Sequence, residues 1–264
     1  MPFLVRPDGT RIFYKLVGRE SKLAPLVFVH GWCSRHELWA EQARYFGKHR
    51  RVLLLDRRGH GRSTTSGDGQ NPEGHAADIA AVVRAAGLSR VVAVGHAGGA
   101  AGTLEFLRAE PRLARAGVIV DAFLYAVPKK GAASHPLLSI LRSMIEVLRG
   151  PRAPARKAFR GWYSSYFDAK CDRAAVRDIV AEAAQTSDAV KIAELEGLLI
   201  DVSAIADGVR QPMLWLSASA HDQAFIGRHL KNVGFAQVYG SAHFPQFEQP
   251  AQTNAAIDAF LARL

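Results

Sequence analysis

The chain has 264 residues, 48% of them hydrophobic and 22% charged, with a formal net charge of +10. This is ordinary globular composition, which excludes a disordered chain, a collagen-like fibre and a small disulfide scaffold. No apolar run reaches the ~18–20 residues of a membrane span, so no membrane partner is expected, and residues 1–8 lack the basic-then-apolar pattern of a signal peptide.

Residues 12–17 are β-branched and aromatic and read as a strand. Residues 25–30 form a continuous apolar run ending at His30-Gly31, the pattern of a strand buried on both faces. Helical spacing follows over 37–46, with Leu38, Trp39, Ala43 and Phe46. A second buried strand, 51–56, runs into the glycine-punctuated Arg57-Arg58-Gly59-His60-Gly61-Arg62-Ser63. The alternation continues with a helix at 73–86, a strand at 91–94, a helix at 100–110 and a strand at 116–121. Strands alternating with helices predict a parallel sheet covered on both faces. At Asp121 the pattern changes, and helices are expected at 137–148, 155–167, 173–184 and 189–199. Strands return at 211–216 and 236–239, and a helix at 252–264 closes the chain. The expected division is a core of 1–121 and 206–264 interrupted by a helical cap, 122–205.

Gly95-His96-Ala97-Gly98-Gly99 lies between a strand and a helix. It has the G-x-S-x-G framework of a nucleophile elbow with alanine in the serine position. Such a turn is too tight for ordinary side chains, and it aims its central residue at a helix N-terminus whose N–H groups favour an oxyanion. The three glycines do not form a G-x-G-x-x-G dinucleotide signature. Three further segments point the same way: Val29-His30-Gly31-Trp32, the loop Asp56 to Ser63, and Ala242-His243-Phe244-Pro245 after the last strand.

In that order these motifs resemble the α/β-hydrolase superfamily over essentially the whole chain. The resemblance implies an α/β fold with a mostly parallel eight-stranded sheet, helices on both faces and a helical cap inserted after strand 6. It implies His243 as catalytic base and the backbone amides of Trp32 and Gly98 as oxyanion donors. Two carboxylates compete to orient His243: Asp121, at a strand end after three buried apolar residues, and Asp222, in the loop where most of the family keeps its acid. Asp121 is preferred, since the flanks Val120-Asp121-Ala122-Phe123 resemble the sub-group that uses the earlier position. Whichever acid loses is expected to cap a helix or decorate the surface. Cys33 and Ser34 lie near the oxyanion loop but have no elbow to aim them.

Ala97 can neither attack nor donate a proton. It fits a serine esterase or lactonase with an engineered Ser→Ala change. It also fits a cofactor-independent dioxygenase working through a His243/Asp121 dyad, or a non-catalytic ligand-binding protein of the same fold. The expected ligand is a small, partly aromatic or alkyl molecule bound by Trp32, His96, Phe123, Trp162, Tyr163 and Tyr166, with His96 shaping the floor rather than titrating. No metal or organic cofactor is implied, no C-x-x-C or H-E-x-x-H zinc signature occurs, and the two cysteines, Cys33 and Cys171, fit a reducing cytoplasm. Residues 122–172 carry nine Lys or Arg, including Lys129 and Lys130, against three acids. Arg156, Lys157 and Arg160 are therefore candidates for an anionic group on the substrate, while the scatter of the other basic residues argues against nucleic acid. The expected assembly is a monomer or homodimer.

Overall fold

The computed structural model describes residues 2–127 and 135–264, so Lys129 and Lys130 lie outside the described residues. Eight strands form one sheet in the order β1-β2-β4-β3-β5-β6-β7-β8. They are β1 (Phe3–Val5), β2 (Arg11–Gly18), β3 (Leu26–Val29), β4 (Arg51–Leu55), β5 (Val91–His96), β6 (Ala114–Val120), β7 (Met213–Ser217) and β8 (Val233–Gln237). β1 and β2 pair antiparallel, β2 pairs antiparallel with β4, and every later neighbour is parallel. β8 begins three residues before its expected start. Val238 leaves the ladder, although its amide still donates to the Ser217 carbonyl at 2.9 Å.

Pleating sends successive residues of β5 to opposite faces. Val91 and Ala93 join a core with α2 (Pro72–Ala85) and α3 (Ala100–Ala109), whereas Val92 and Val94 join Trp39 and Phe46, the latter on α1 (Ala40–Phe46). The continuous apolar runs of β3 and β5 are thus two-sided strands: every residue of both is buried. Pro72 at the first helical position and the Asn71 side chain, which accepts from the Gly74 amide at 2.8 Å, start α2.

Between β6 and β7 the described chain is helical: α4 (Pro136–Arg149), α5 (Arg152–Ser165), α6 (Arg173–Ala183), α7 (Asp188–Gly197) and α8 (Val202–Ala206). Leu141, Met144, Ile145 and Leu148 give α4 one apolar face, which packs with Phe159 and Tyr163 of α5 and Leu195 of α7. α8 has too few residues to show a helical period, and its Val202, Ile205 and Ala206 join the sheet's own core. α9 (Gln223–His229), α10 (Pro245–Glu248) and α11 (Pro250–Leu261) complete the fold. No helix of the described residues is long and apolar enough to cross a membrane. Cys33 and Cys171 are both free.

The helical segment is fastened to the sheet by buried charge. Glu194 of α7 pairs with the Arg57 guanidinium, and its other oxygen lies 2.7 Å from His75 Nε2 on α2. The Arg57 amide donates to His30 Nε2 at 2.9 Å. Burial opposes ionisation of Glu194, but Arg57 and His75 outweigh it and hold the carboxyl well below its usual range.

Candidate active site

At the end of β5 the chain turns sharply through Ala97–Gly99 into α3. Ala97 has φ +46°, in the left-handed region that side chains avoid. The flanking glycines are demanded by close approach. A Cβ at Gly95 would lie 2.3 Å from Thr103 Oγ1, and one at Gly99 would lie 2.4 Å from the His30 carbonyl oxygen. A Cβ at Gly98 would meet the Trp32 amide nitrogen at 3.2 Å, so the backbones of Gly98 and Trp32 are neighbours. The elbow and the loop after β3 are therefore packed together.

Asp121 follows β6 and has φ +44°. Its amide continues the ladder to the Leu216 carbonyl at 2.8 Å. Its side chain accepts twice, from His243 Nδ1 at 2.7 Å and from the Ala218 amide at 2.8 Å. Burial pushes the Asp121 carboxyl up, but the His243 hydrogen bond and charge and the Ala218 amide outweigh it, and the net shift is downward. An ionised Asp121 fixes the proton on His243 Nδ1 and leaves Nε2 as the basic nitrogen.

The backbone of His243 is gripped on both sides. Its amide donates to the Tyr166 carbonyl at 2.9 Å, and its carbonyl accepts from His96 Nε2 at 2.7 Å. His96 is buried, and desolvation followed by the nearby His243 pushes it down to about 3, so it is a neutral strut between the elbow and the His243 loop. His96 is also among the residues that line the cavity described below.

Asp222 is elsewhere. It is exposed and caps α9, its carboxylate accepting from the Phe225 amide at 2.8 Å. Of the two competing acids, the one that meets His243 is Asp121. Cys33 is buried, which pushes its thiol well up and keeps it a poor nucleophile.

Ala97, His243, Asp121, Trp32 and Gly98 line one cavity of about 490 Å³. The helical segment contributes Leu137, Leu141 and Met144 of α4, Tyr163 of α5 and Leu195 of α7, so the lining is mainly apolar. Phe123, half exposed, lies at its edge, and Tyr166 closes it beside His243, ring centroids 5.2 Å apart. Trp162 does not line it. One residue turns about 100° on a helix, so Tyr163 faces the cavity while Trp162 packs half-buried against the aromatic cluster of the helical segment. Arg156, Lys157 and Arg160 do not line it either: they stand exposed on the outward face of α5, and among the described residues no Lys or Arg reaches the cavity. The expected anion site is thereby corrected.

Several lining residues escaped the sequence reading. Leu195 and Leu198, spaced i, i+3 in 189–199, carried a usable signal. Ala100, Ala101, Ala218 and Ser241 carried none, since small residues beside an elbow and in loops look alike.

Residues 26–256 match the family model described as the alpha/beta hydrolase family. The chain belongs to the α/β-hydrolase family. Over 117 residues this α/β hydrolase is 41% identical to a non-heme chloroperoxidase of Streptomyces lividans, covering 44% of this chain and 42% of that protein. Over 101 residues it is 43% identical to a bifunctional esterase/perhydrolase of Acinetobacter calcoaceticus, covering 38% and 36%. The chain thus spans about two fifths of the length of the curated relatives it matches. Its fold superimposes on an esterase from Exiguobacterium antarcticum with a TM-score of 0.85 at 17% identity, covering 98% of both chains. The enol-lactonase from Burkholderia xenovorans LB400 gives 0.84 at 16% identity, covering 99% of this chain and 100% of that one.

Proposed function

We propose that this α/β hydrolase carries the site of a carboxylic-ester or lactone hydrolase whose attacking oxygen is replaced by the methyl group of Ala97. The observation that carries the reading is the hydrogen bond between Asp121 and His243 Nδ1 beside a strained elbow, in the lining of a mainly apolar cavity. With a hydroxyl at position 97, His243 Nε2 takes its proton as the oxygen attacks the carbonyl carbon. The oxyanion is met by the Trp32 and Gly98 amides. As the tetrahedral intermediate collapses, the protonated His243 returns the proton to the leaving alkoxide, and water repeats the sequence to release the acid. Asp121 holds the imidazole in the tautomer that both steps need. The helical segment acts as the cap, and its apolar lining favours an uncharged alkyl or aromatic substrate. The relative named as an esterase/perhydrolase supports the same bond class.

The test is Ala97→Ser, assayed against p-nitrophenyl esters of graded chain length and a lactone series. The expected result is a rise in kcat/KM of at least about 10³-fold over the unaltered chain, with a covalent acyl-enzyme visible by mass spectrometry. A folded Ala97→Ser protein that hydrolyses none of them would overturn the reading. The codon of the source gene at position 97 decides whether the alanine is inherited or replaces a serine.

A second reading rests on the same dyad being complete without a nucleophile. His243 with Asp121 would deprotonate a hydroxylated heteroaromatic ligand, and the resulting anion, held by the Trp32 and Gly98 amides, would react directly with oxygen. Oxygen uptake by the unaltered chain with a 3-hydroxy-4-quinolone supports this reading; tight binding without uptake supports a ligand-binding role.

A further inference from the structure

The two halves of the proposed chemistry sit on different loops. The oxyanion donor Trp32 belongs to the loop after β3, and the base His243 to the loop after β8. We infer that the last turn of α5, Tyr163 to its C-capping Tyr166, is a clamp that fixes these loops relative to one another, with Tyr163 as a positioning residue. The inference rests on the hydrolase reading for its kinetic consequence, but not for its geometry.

Tyr163 is 1% exposed, and its hydroxyl is shared between the carbonyl oxygens of Trp32 and Cys33, both at 3.3 Å. The second of these residues needs holding: Cys33 has φ +53°, a conformation that a non-glycine residue keeps only when its surroundings impose it. Three residues further on, the Tyr166 carbonyl accepts the His243 amide at 2.9 Å. One helical turn therefore grips the oxyanion loop through a side chain and the base loop through its backbone. The turn itself is braced. The Tyr163 ring stacks on Phe159 at 5.5 Å and packs on Phe244 at 5.9 Å, and the buried Lys191 ammonium stands 4.6 Å from the Phe159 ring. Trp32 is held a second time, its Nε1 donating to the Lys191 carbonyl of α7 at 3.0 Å. Burial pushes the Tyr163 hydroxyl far up, so it remains a donor across the working range.

A donor at 3.3 Å contributes little binding energy by itself. Its effect is on preorganisation: the oxyanion amide helps only if it stands about 3 Å from where charge will develop. Tyr163→Phe keeps the ring and removes both bonds. In the unaltered background, amide hydrogen exchange at residues 32–34 should accelerate by about tenfold, with the α3 amides unchanged. Trp32→Phe, which removes the bond to Lys191, should loosen the same loop from the α7 side. In the Ala97→Ser background, Tyr163→Phe should lower kcat by about tenfold and leave KM within about twofold, because the donor is displaced rather than deleted.

A purely structural tyrosine would lower the melting temperature while leaving kcat per folded molecule and the loop exchange unchanged, and that result overturns the clamp. A folded Ala97→Ser protein that hydrolyses neither the esters nor the lactones overturns the hydrolase reading instead. The exchange measurement still judges the clamp in that case.

Discussion

Asp121 and Asp222 show how much a single residue's chemistry depends on where its strand ends. In the Ala97→Ser background, Asp121→Asn is expected to lower kcat by about 10⁴-fold, since the amide favours the wrong imidazole tautomer. Asp222→Ala should leave kcat within about twofold and remove a helix cap at a cost of about 1 kcal/mol. Steady-state kinetics and thermal melts separate the two. The sequence offered both acids because each follows a strand, and the cap role of Asp222 was legible as the alternative for the losing acid. The pairing was not. It depends on the loop after β8 reaching across β7 to the end of β6, and on the Ala218 amide that supplies the second hydrogen bond. His96 was legible as the residue that leads β5 into the elbow. Its bond to the His243 carbonyl was not, because a backbone acceptor far along the chain leaves no trace in local pattern.

The elbow is the element whose form was most readable. Gly99→Ala puts a Cβ 2.4 Å from the His30 carbonyl, a backbone atom that cannot swing aside. We expect it to destabilise by about 1–3 kcal/mol, as overpacking does, seen as a lower midpoint in urea. An unchanged midpoint would mean that the loop after β3 yields. The two-sided strands β3, β4, β5, β6 and β7 were legible from continuous apolar runs, and α1 to α7 from apolar periodicity or composition, within a few residues at their ends. Short elements were not. β1 has three residues, α8 five and α10 four, too few for a period to show. β8 was displaced because the apolar Val238 lies outside its ladder. In α5 a row of aromatics at 162–167 identified a face without saying which of its neighbours points inward, and that uncertainty misplaced Trp162.

Across the whole molecule, buried histidines govern the response to pH. Burial holds His30, His60, His75 and His96 below their ordinary range, His60 at about 4 and His96 at about 3. In the unfolded chain they take up protons near about 6.5. The unfolded state therefore binds more protons as pH falls below that value, and stability is lost toward about 4 and 3. His36 acts oppositely. Burial pushes it down, but hydrogen bonds to Asp56 and Glu37 and their charges prevail, and it rises to about 9. Its contribution is full below about 6.5 and is lost as pH rises through about 9. Thermal melts from pH 5 to 9 should give a maximum near neutrality, with the steeper loss on the acid side; a melting temperature that climbs toward pH 5 contradicts this. The overall charge reads differently at this scale too. The local cationic excess seen in the sequence is, on α5, a solvated outer face, and the cavity beneath it is apolar.

The left-handed backbone at Ala97 has one more consequence. A non-glycine residue there costs about 1–2 kcal/mol relative to a relaxed conformation, whatever its side chain does. The protein already bears that strain, held in place by Gly95, Gly99 and the loop after β3, with no hydroxyl to present. Serine would occupy the same backbone with the same cost. The strain therefore belongs to the backbone and not to the side chain, so Ala97→Ser should leave the melting temperature nearly unchanged, and the chemistry proposed for this position can be tested without a folding penalty.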